Sequence, residues 1–328
     1  MTLAQLRTFL AVADAGSVHA AAKQLYVTQS AVSASLTALQ RSLGTRLIQR
    51  DGRGLRLTDA GVVYAGYIRR VLGLLDEASA AAAAEDDPER GVLRMAAVTT
   101  AGEQILPRLL TSFRNRHPQI GIQLEVGNRE RVRALLERRE VDLLLGGRTT
   151  VRRDVTVLGV RPHELIIVAP GDGYTLADRS DLVGWADRQT WLLREKGSGT
   201  RETTERYLAG LELPSAPHSL TVGSNAAIRE AVIAGLGVTL ISRDAVLREL
   251  ADGTLVEVPL PETPLPRDWH LVAHPGTLPA TATALVAHVL MTGEFRRPQQ
   301  DKPDTEQRAR ELPDRVGVAP QLRDPITS

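Results

Sequence analysis

The chain has 328 residues, 43% of them hydrophobic and 24% charged, which is ordinary for a folded protein of two or three domains. No run of eighteen apolar residues is present and no basic-then-apolar leader opens the chain, so the sequence predicts neither a membrane span nor export. Cysteine is absent, which excludes disulfides and thiolate chemistry and fits a cytoplasmic location. The formal net charge of +1 conceals an asymmetry. Residues 1–75 carry nine Lys or Arg against three acids, the balance expected of a segment that meets phosphates.

The first sixty residues predict three short helices and a hairpin. Leu3, Leu6, Phe9, Leu10 and Ala13 repeat with helical spacing. Gly16 stops that helix and Ser17 caps an alanine-rich second one ending near Leu25. After a turn at Tyr26 and Val27, Thr28 caps a third helix with Val32, Leu36, Leu39 and Leu43 on its inward face and Gly44 at its end. Its other face starts with Thr28, Gln29, Ser30 and Ser33, small polar groups able to meet base edges at the start of a recognition helix. Asp51-Gly52 is a hairpin turn between two short strands, and Arg50, Arg53 and Arg56 lie on or beside that hairpin. Arginines so placed can hold the DNA backbone or enter a narrow minor groove.

Residues 3–61 resemble the N-terminal domain of LysR-type transcriptional regulators, through Phe9, GSVHAAAKQL, TQSAVS, LQRSLG and RLIQRDGRGLRLTDAG. The resemblance implies a winged helix-turn-helix in which Thr28, Gln29, Ser30 and Ser33 face bases, while Arg50 and Arg53 grip the backbone or minor groove. Two positions depart from the usual pattern. Ala34 stands where many members carry a basic residue, removing a base or phosphate contact, and Gln40 replaces the usual Glu.

From Thr58 to about Ala84 one long helix is expected, with Val63, Tyr67, Val71, Leu74 and Ala78 recurring at spacings of four and three. Such a seam suits a two-fold dimer helix that sets two recognition helices on an inverted-repeat operator in double-stranded DNA. The family resemblance implies the same homodimer, with further assembly into tetramers. Pro88, within EDDPER, marks the hinge.

Beyond Val92 strands and helices alternate, predicting α/β architecture. Strands are expected at 92–98, 120–126, 141–147, 164–169, 190–194, 219–222, 238–242 and 268–274, and a closing helix at about 278–293. LLLGG at 143–147 and VGSNAAIREAVIAGLGVTLISRDAV at 222–246 resemble the effector domain of the same regulators, a two-lobed, type-2 periplasmic-binding-protein-like fold. The implied organisation is a DNA-binding domain at 1–58, a linker helix and hinge at 59–90, and an effector domain at 91–295. Its first lobe spans 91–163 and 268–295, its second 164–267, and a disordered tail follows at 296–328.

Three loop-to-helix junctions are candidates to line the cleft between lobes. They are Thr99 and Thr100, then Ser198, Thr200 and Arg201, then Ser224 and Asn225. Each brings small polar groups to a helix start, where free N–H groups favour an anion, although ordinary capping explains any one of them. Together they point to a small anionic metabolite as effector. REKGSGTR at 194–201 also resembles regulators of carbon dioxide fixation and sulfur assimilation operons, implying a phosphorylated or carboxylated ligand.

No catalytic residue, metal site or cofactor is expected. The seven histidines lack zinc spacing, and His270 and His274 suit local structure. KGSGTR is not a nucleotide P-loop, and no nucleophile elbow occurs. The rival readings, a solute-binding protein or a small-molecule enzyme on the α/β domain, lack an export signal and a catalytic constellation respectively.

Overall fold

A computed structural model of the chain describes residues 1–52, 54–86, 90–147, 155–172 and 181–298. The N-terminal helices are α1 (Leu3–Ala15), α2 (Val18–Leu25) and α3 (Gln29–Leu43). Each begins at a hydroxyl cap. Thr2, Ser17 and Thr28 accept from the backbone N–H three residues on, an arrangement that stabilises a helix start by about 1 kcal/mol. Phe9, Val12, Ala21, Val32, Leu39 and Leu47 are buried together, and the alanines of α2 allow the three helices to cross closely.

Strands β1 (Ile48–Asp51) and β2 (Gly54–Leu57) form the hairpin, with Ile48 opposite Leu57. Two ties lock this wing to the helices. Gly16, left-handed at φ 61°, accepts at its carbonyl from Leu55 N–H at 2.9 Å. Gln40 Oε1 accepts from Leu47 and Ile48 N–H at 2.8 and 3.2 Å. The neutral amide thus does at this position what needs only an acceptor, which accounts for tolerance of Gln where Glu is usual.

Helix α4 (Asp59–Asp86) follows, with Thr58 Oγ1 accepting from Gly61 N–H at 3.0 Å and donating to Arg46 O at 2.8 Å. A Cβ on Gly61 would lie 1.9 Å from Leu47 O, so only glycine lets α4 start against the wing. Val63, Tyr67, Val71 and Leu74 are all exposed along α4, an apolar seam without cover in the single chain.

The remainder is two α/β lobes. In the first, β3 (Gly91–Val98), β4 (Ile120–Gly127), β5 (Leu143–Gly146), β6 (Thr156–Arg161) and the late strand β13 (Trp269–Ala273) form one sheet in the order β4-β3-β5-β13-β6. Strands β3, β4 and β5 run parallel, and β13 returns antiparallel between β5 and β6. Helices α5 (Leu106–Arg116), α6 (Arg129–Glu137) and α11 (Ala280–Met291) cover it. In the second lobe β7 (Glu164–Pro170) is central. Strands β10 (Thr239–Ser242) and β11 (Leu255–Glu257) flank it, and β12 (Leu265–Pro266) also pairs with it. Strands β8 (Thr190–Leu193) and β9 (His218–Thr221) pair in parallel beside β10. Helices α7 (Leu182–Asp187), α8 (Gly199–Gly210), α9 (Asn225–Ile233) and α10 (Leu247–Asp252) complete the lobe.

Three expectations change in detail. The helix expected directly after β3 opens with a π-helical turn, Ala101–Ile105, before α5. Its small Gly102 has a reason, since a Cβ there would lie 2.8 Å from the Val126 side chain. Strand β6 escaped the sequence reading because its apolar run is short and only half buried. The start of the expected tail is structured, because Arg296 pairs with Val160 through two backbone hydrogen bonds of 2.8 and 2.9 Å. Residues 299–328, the rest of that tail, lie outside the described residues.

Candidate nucleic-acid interface and effector cleft

The polar start of α3 is open. Gln29, Ser30 and Ser33 are exposed, as is Thr28 at the cap. Thr28 Oγ1 accepts from Ala31 N–H at 3.2 Å and lies 2.9 Å from Ser30 Oγ, so these two hydroxyls are partly occupied with each other. Gln29 Nε2 lies 3.0 Å from His19 Nδ1 on α2. Arg50 is exposed on β1 with no ion pair among the described residues, whereas Arg56 faces Asp51 at 3.9 Å. Arg53 lies outside the described residues.

Between the lobes the chain crosses twice, at 161–164 and 266–269, and Arg267 N–H donates to His163 O at 2.7 Å where the crossings meet. The cleft lies beyond the carboxyl ends of β3, β4, β5 and β8, where ligands of open α/β sheets bind. Thr99, Thr100, Ser198 and Thr200 line it. Thr100 is not a cap. Its backbone is helical, and its Oγ1 accepts from Asn225 Nδ2 of the opposite lobe at 2.8 Å. Asn225 in turn accepts from Arg194 through Oδ1. Ser198 stands at the start of α8 without a side-chain capping bond. Ser224 caps α9 by accepting from Ala227 N–H at 3.1 Å, and it is not among the lining residues. Arg201 also points elsewhere, to Glu205 at 2.7 Å, Arg194 O at 2.9 Å and Thr221 at 3.1 Å.

The cations of the cleft are three arginines that sequence reasoning missed: Arg129, Arg194 and Arg267. Arg129 pairs with Glu202 and Arg194 with Glu195. Arg267 has no ion pair among the described residues; Gly199 O at 3.4 Å and Thr203 Oγ1 at 3.3 Å are neutral acceptors. Burial, reinforced by Arg129 nearby, pushes its guanidinium down to about 10, so it stays cationic at neutral pH. Two glycines make room for it. A Cβ on Gly147 would lie 2.6 Å from Arg267 Nε, and one on Gly199 would lie 2.7 Å from Nη2. Neither glycine serves a turn of positive φ, so what each position requires is the close approach of Arg267.

His163 lies flat on Trp269, centroids 4.2 Å apart and planes 8° apart. Burial lowers its pKa to about 4 against the pull of Asp244, so it is neutral at pH 7. Ser242, His163 and Asp244 have the residue types of a nucleophilic triad but not its geometry. Ser242 Oγ and Asp244 Oδ2 both approach the same ring nitrogen, Nδ1, at 3.5 and 3.7 Å, whereas a relay needs the acid and the nucleophile on opposite nitrogens. His274 Nε2 bonds Leu136 O at 2.7 Å, a local structural contact. No cluster of three or more potential metal ligands occurs among the described residues.

A winged helix-turn-helix joined by a long helix to a two-lobed, arginine-bearing cleft defines a one-component, ligand-sensing regulator. Residues 3–62 match the bacterial regulatory helix-turn-helix family of LysR type, and residues 86–293 match the LysR substrate-binding domain. The chain belongs to the LysR family and is a DNA-binding transcriptional regulator with an effector-binding domain. It is 35% identical over 335 residues to the HTH-type transcriptional regulator CbbR of Xanthobacter flavus, covering 99% of this chain and 98% of that one. Full-length CbnR complexed with its target DNA has the same fold, with TM-score 0.62 and 20% identity, over 89% of this chain and 100% of that one. The regulatory domain of Synechocystis CcmR in complex with 2-PG superposes with TM-score 0.57 and 27% identity, over 62% of this chain and 97% of that one.

Proposed function

We propose that the cleft binds a small phosphorylated or carboxylated metabolite, and that its occupancy alters how the protein acts on an inverted-repeat operator. The observation that carries this is Arg267, a half-buried cation hydrogen-bonded to neutral acceptors in a cleft that spans both lobes. A largely desolvated guanidinium with no direct ion pair, whose nearest acid Glu202 is taken by Arg129, favours an anionic partner, which restores the lost solvation and makes charge-assisted hydrogen bonds. Thr100, Ser198 and Thr200 would add neutral donors beside Thr99, whose hydroxyl donates to Gly127 O at 3.3 Å, while Ser224 and Arg201 act on the surrounding structure. The CcmR complex supports 2-phosphoglycolate as the first ligand to try.

In this reading residues 1–58 bind DNA, 59–90 connect and dimerise, and 91–295 sense the ligand in lobes divided at 163–164 and 267–268. Gln29, Ser30, Ser33 and Thr28 meet bases; Arg50 and Arg53 hold the backbone. The open seam of α4 supports a homodimer, and a tetramer is its extension. The protein would work in the cytoplasm, where its DNA is, by binding rather than catalysis. Its cleft offers arginines and a neutral histidine, which suit anion capture.

Thermal unfolding of the full chain with 2-phosphoglycolate tests the sensing function. Saturation to about one hundred times Kd should stabilise the protein by about 2.7 kcal/mol. Arg267→Gln should abolish that shift while leaving affinity for the DNA upstream of its own gene unchanged. If neither 2-phosphoglycolate nor a panel of phosphorylated and carboxylated metabolites stabilises the wild type, the anion reading fails.

A further inference from the structure

Gln29 is exposed and carries a side chain with three rotatable torsions, yet its amide is not free. His19, the second residue of α2, reaches across to it, with Nδ1 at 3.0 Å from Gln29 Nε2. Neighbouring hydroxyls do not compete for that amide, because Thr28 and Ser30 engage each other. We propose that His19 is a positioning residue for base readout, holding the Gln29 amide in the one of its two orientations that suits adenine. The proposal rests on the reading that Gln29 meets a base edge.

The chemistry follows from counting donors and acceptors. With Nε2 of Gln29 donating, His19 Nδ1 must be the unprotonated ring nitrogen, and the proton sits on the imidazole Nε2. One amide N–H is then consumed. What remains is one acceptor, Oε1, and one donor, the second N–H. That pair matches adenine in the major groove, whose N6 amine donates and whose N7 accepts. The flipped amide would turn Oε1 toward His19 and present two N–H groups outward, a match for the two acceptors O6 and N7 of guanine. An unanchored glutamine samples both states and pays to order itself on either base. As the Nε2–H tautomer His19 favours the first state before DNA arrives and keeps its Nε2–H for a phosphate oxygen, whereas the Nδ1–H tautomer would favour the second.

The test uses the full-length protein on the duplex upstream of its own gene, with each base pair of a half-site permuted in turn. Gln29→Ala should erase discrimination at one base pair and spare the rest. His19→Ala should lower discrimination at that same pair by about tenfold, with the melting temperature and the affinity for unrelated DNA kept. His19→Asn, whose Oδ1 can take the place of Nδ1, should restore most of it. In the double variant, loss of His19 should add nothing to loss of Gln29. Equal weakening by His19→Ala on every sequence, or no change on any, overturns the positioning role while leaving Gln29 as a reader. Equal loss by Gln29→Ala on every sequence removes base readout itself and the inference with it.

Discussion

Single side chains decide the character of the cleft. Arg267 and His163 lie on the two chain crossings, and burial acts on both in the same direction, against the charged form. For the arginine this leaves a cation waiting for an anion. For the histidine it makes a pH dependence. Its pKa is near 4 when folded and near the ordinary 6.5 when unfolded, so between those values the unfolded chain holds the extra proton. Stability should therefore be full above about pH 6.5 and decline as pH falls toward 4, by at most about 3 kcal/mol from this group. Urea unfolding of the wild type and of His163→Gln across that window checks it. Identical pH slopes in the two proteins would show that His163 contributes nothing.

At the scale of elements, α4 carries the prediction about assembly. Val63, Tyr67, Val71 and Leu74 expose apolar surface at a spacing that follows one side of the helix, and Arg70 lies over the Tyr67 ring at 4.5 Å. Covering such a stripe with a second copy removes apolar area from water at roughly 25 cal/mol per Å2. A charge placed there would instead be buried in the pair. Leu74→Glu should convert the protein to monomers in sedimentation velocity and weaken binding to the two-half-site operator by about a hundredfold or more, while a single half-site is bound as before. A variant that sediments as wild type would mean that the seam is not the contact. Elements also explain why the reading frame of the N-terminal module was so legible. Caps, glycine stops and helical apolar spacing are local signals, and α1, α2, α3 and the wing each carry their own. Strand β6 and the π-helical turn carry none, because both depend on what packs against them.

For the whole molecule, charge placement matters more than its sum. The net charge is +1, yet residues 1–75 are strongly basic. A chain so arranged should bind duplex DNA with a steep salt dependence despite its near-neutral total. Arg50→Ala should reduce the slope of log K against log salt by about 0.9 if that side chain neutralises one phosphate. An unchanged slope would take Arg50 off the backbone.

What the amino-acid order determined alone was everything carried by near neighbours in the chain: the helix-turn-helix, the wing, the long helix and the alternating strands. It also singled out Thr99, Thr100, Ser198 and Thr200, since small polar residues at strand ends are a local pattern. The three cleft arginines were settled only by folding. Arg129, Arg194 and Arg267 are separated by scores of residues, and nothing local marks any of them as facing the cleft, just as nothing local sets apart Arg201, which turns to Glu205 instead. Their convergence depends on the chain crossing between lobes twice and on glycines at 147 and 199 that let a guanidinium lie against bare backbone. Direction and proximity across distant segments are properties of packing, which is why the chemistry of the site is tertiary while its scaffold is written locally.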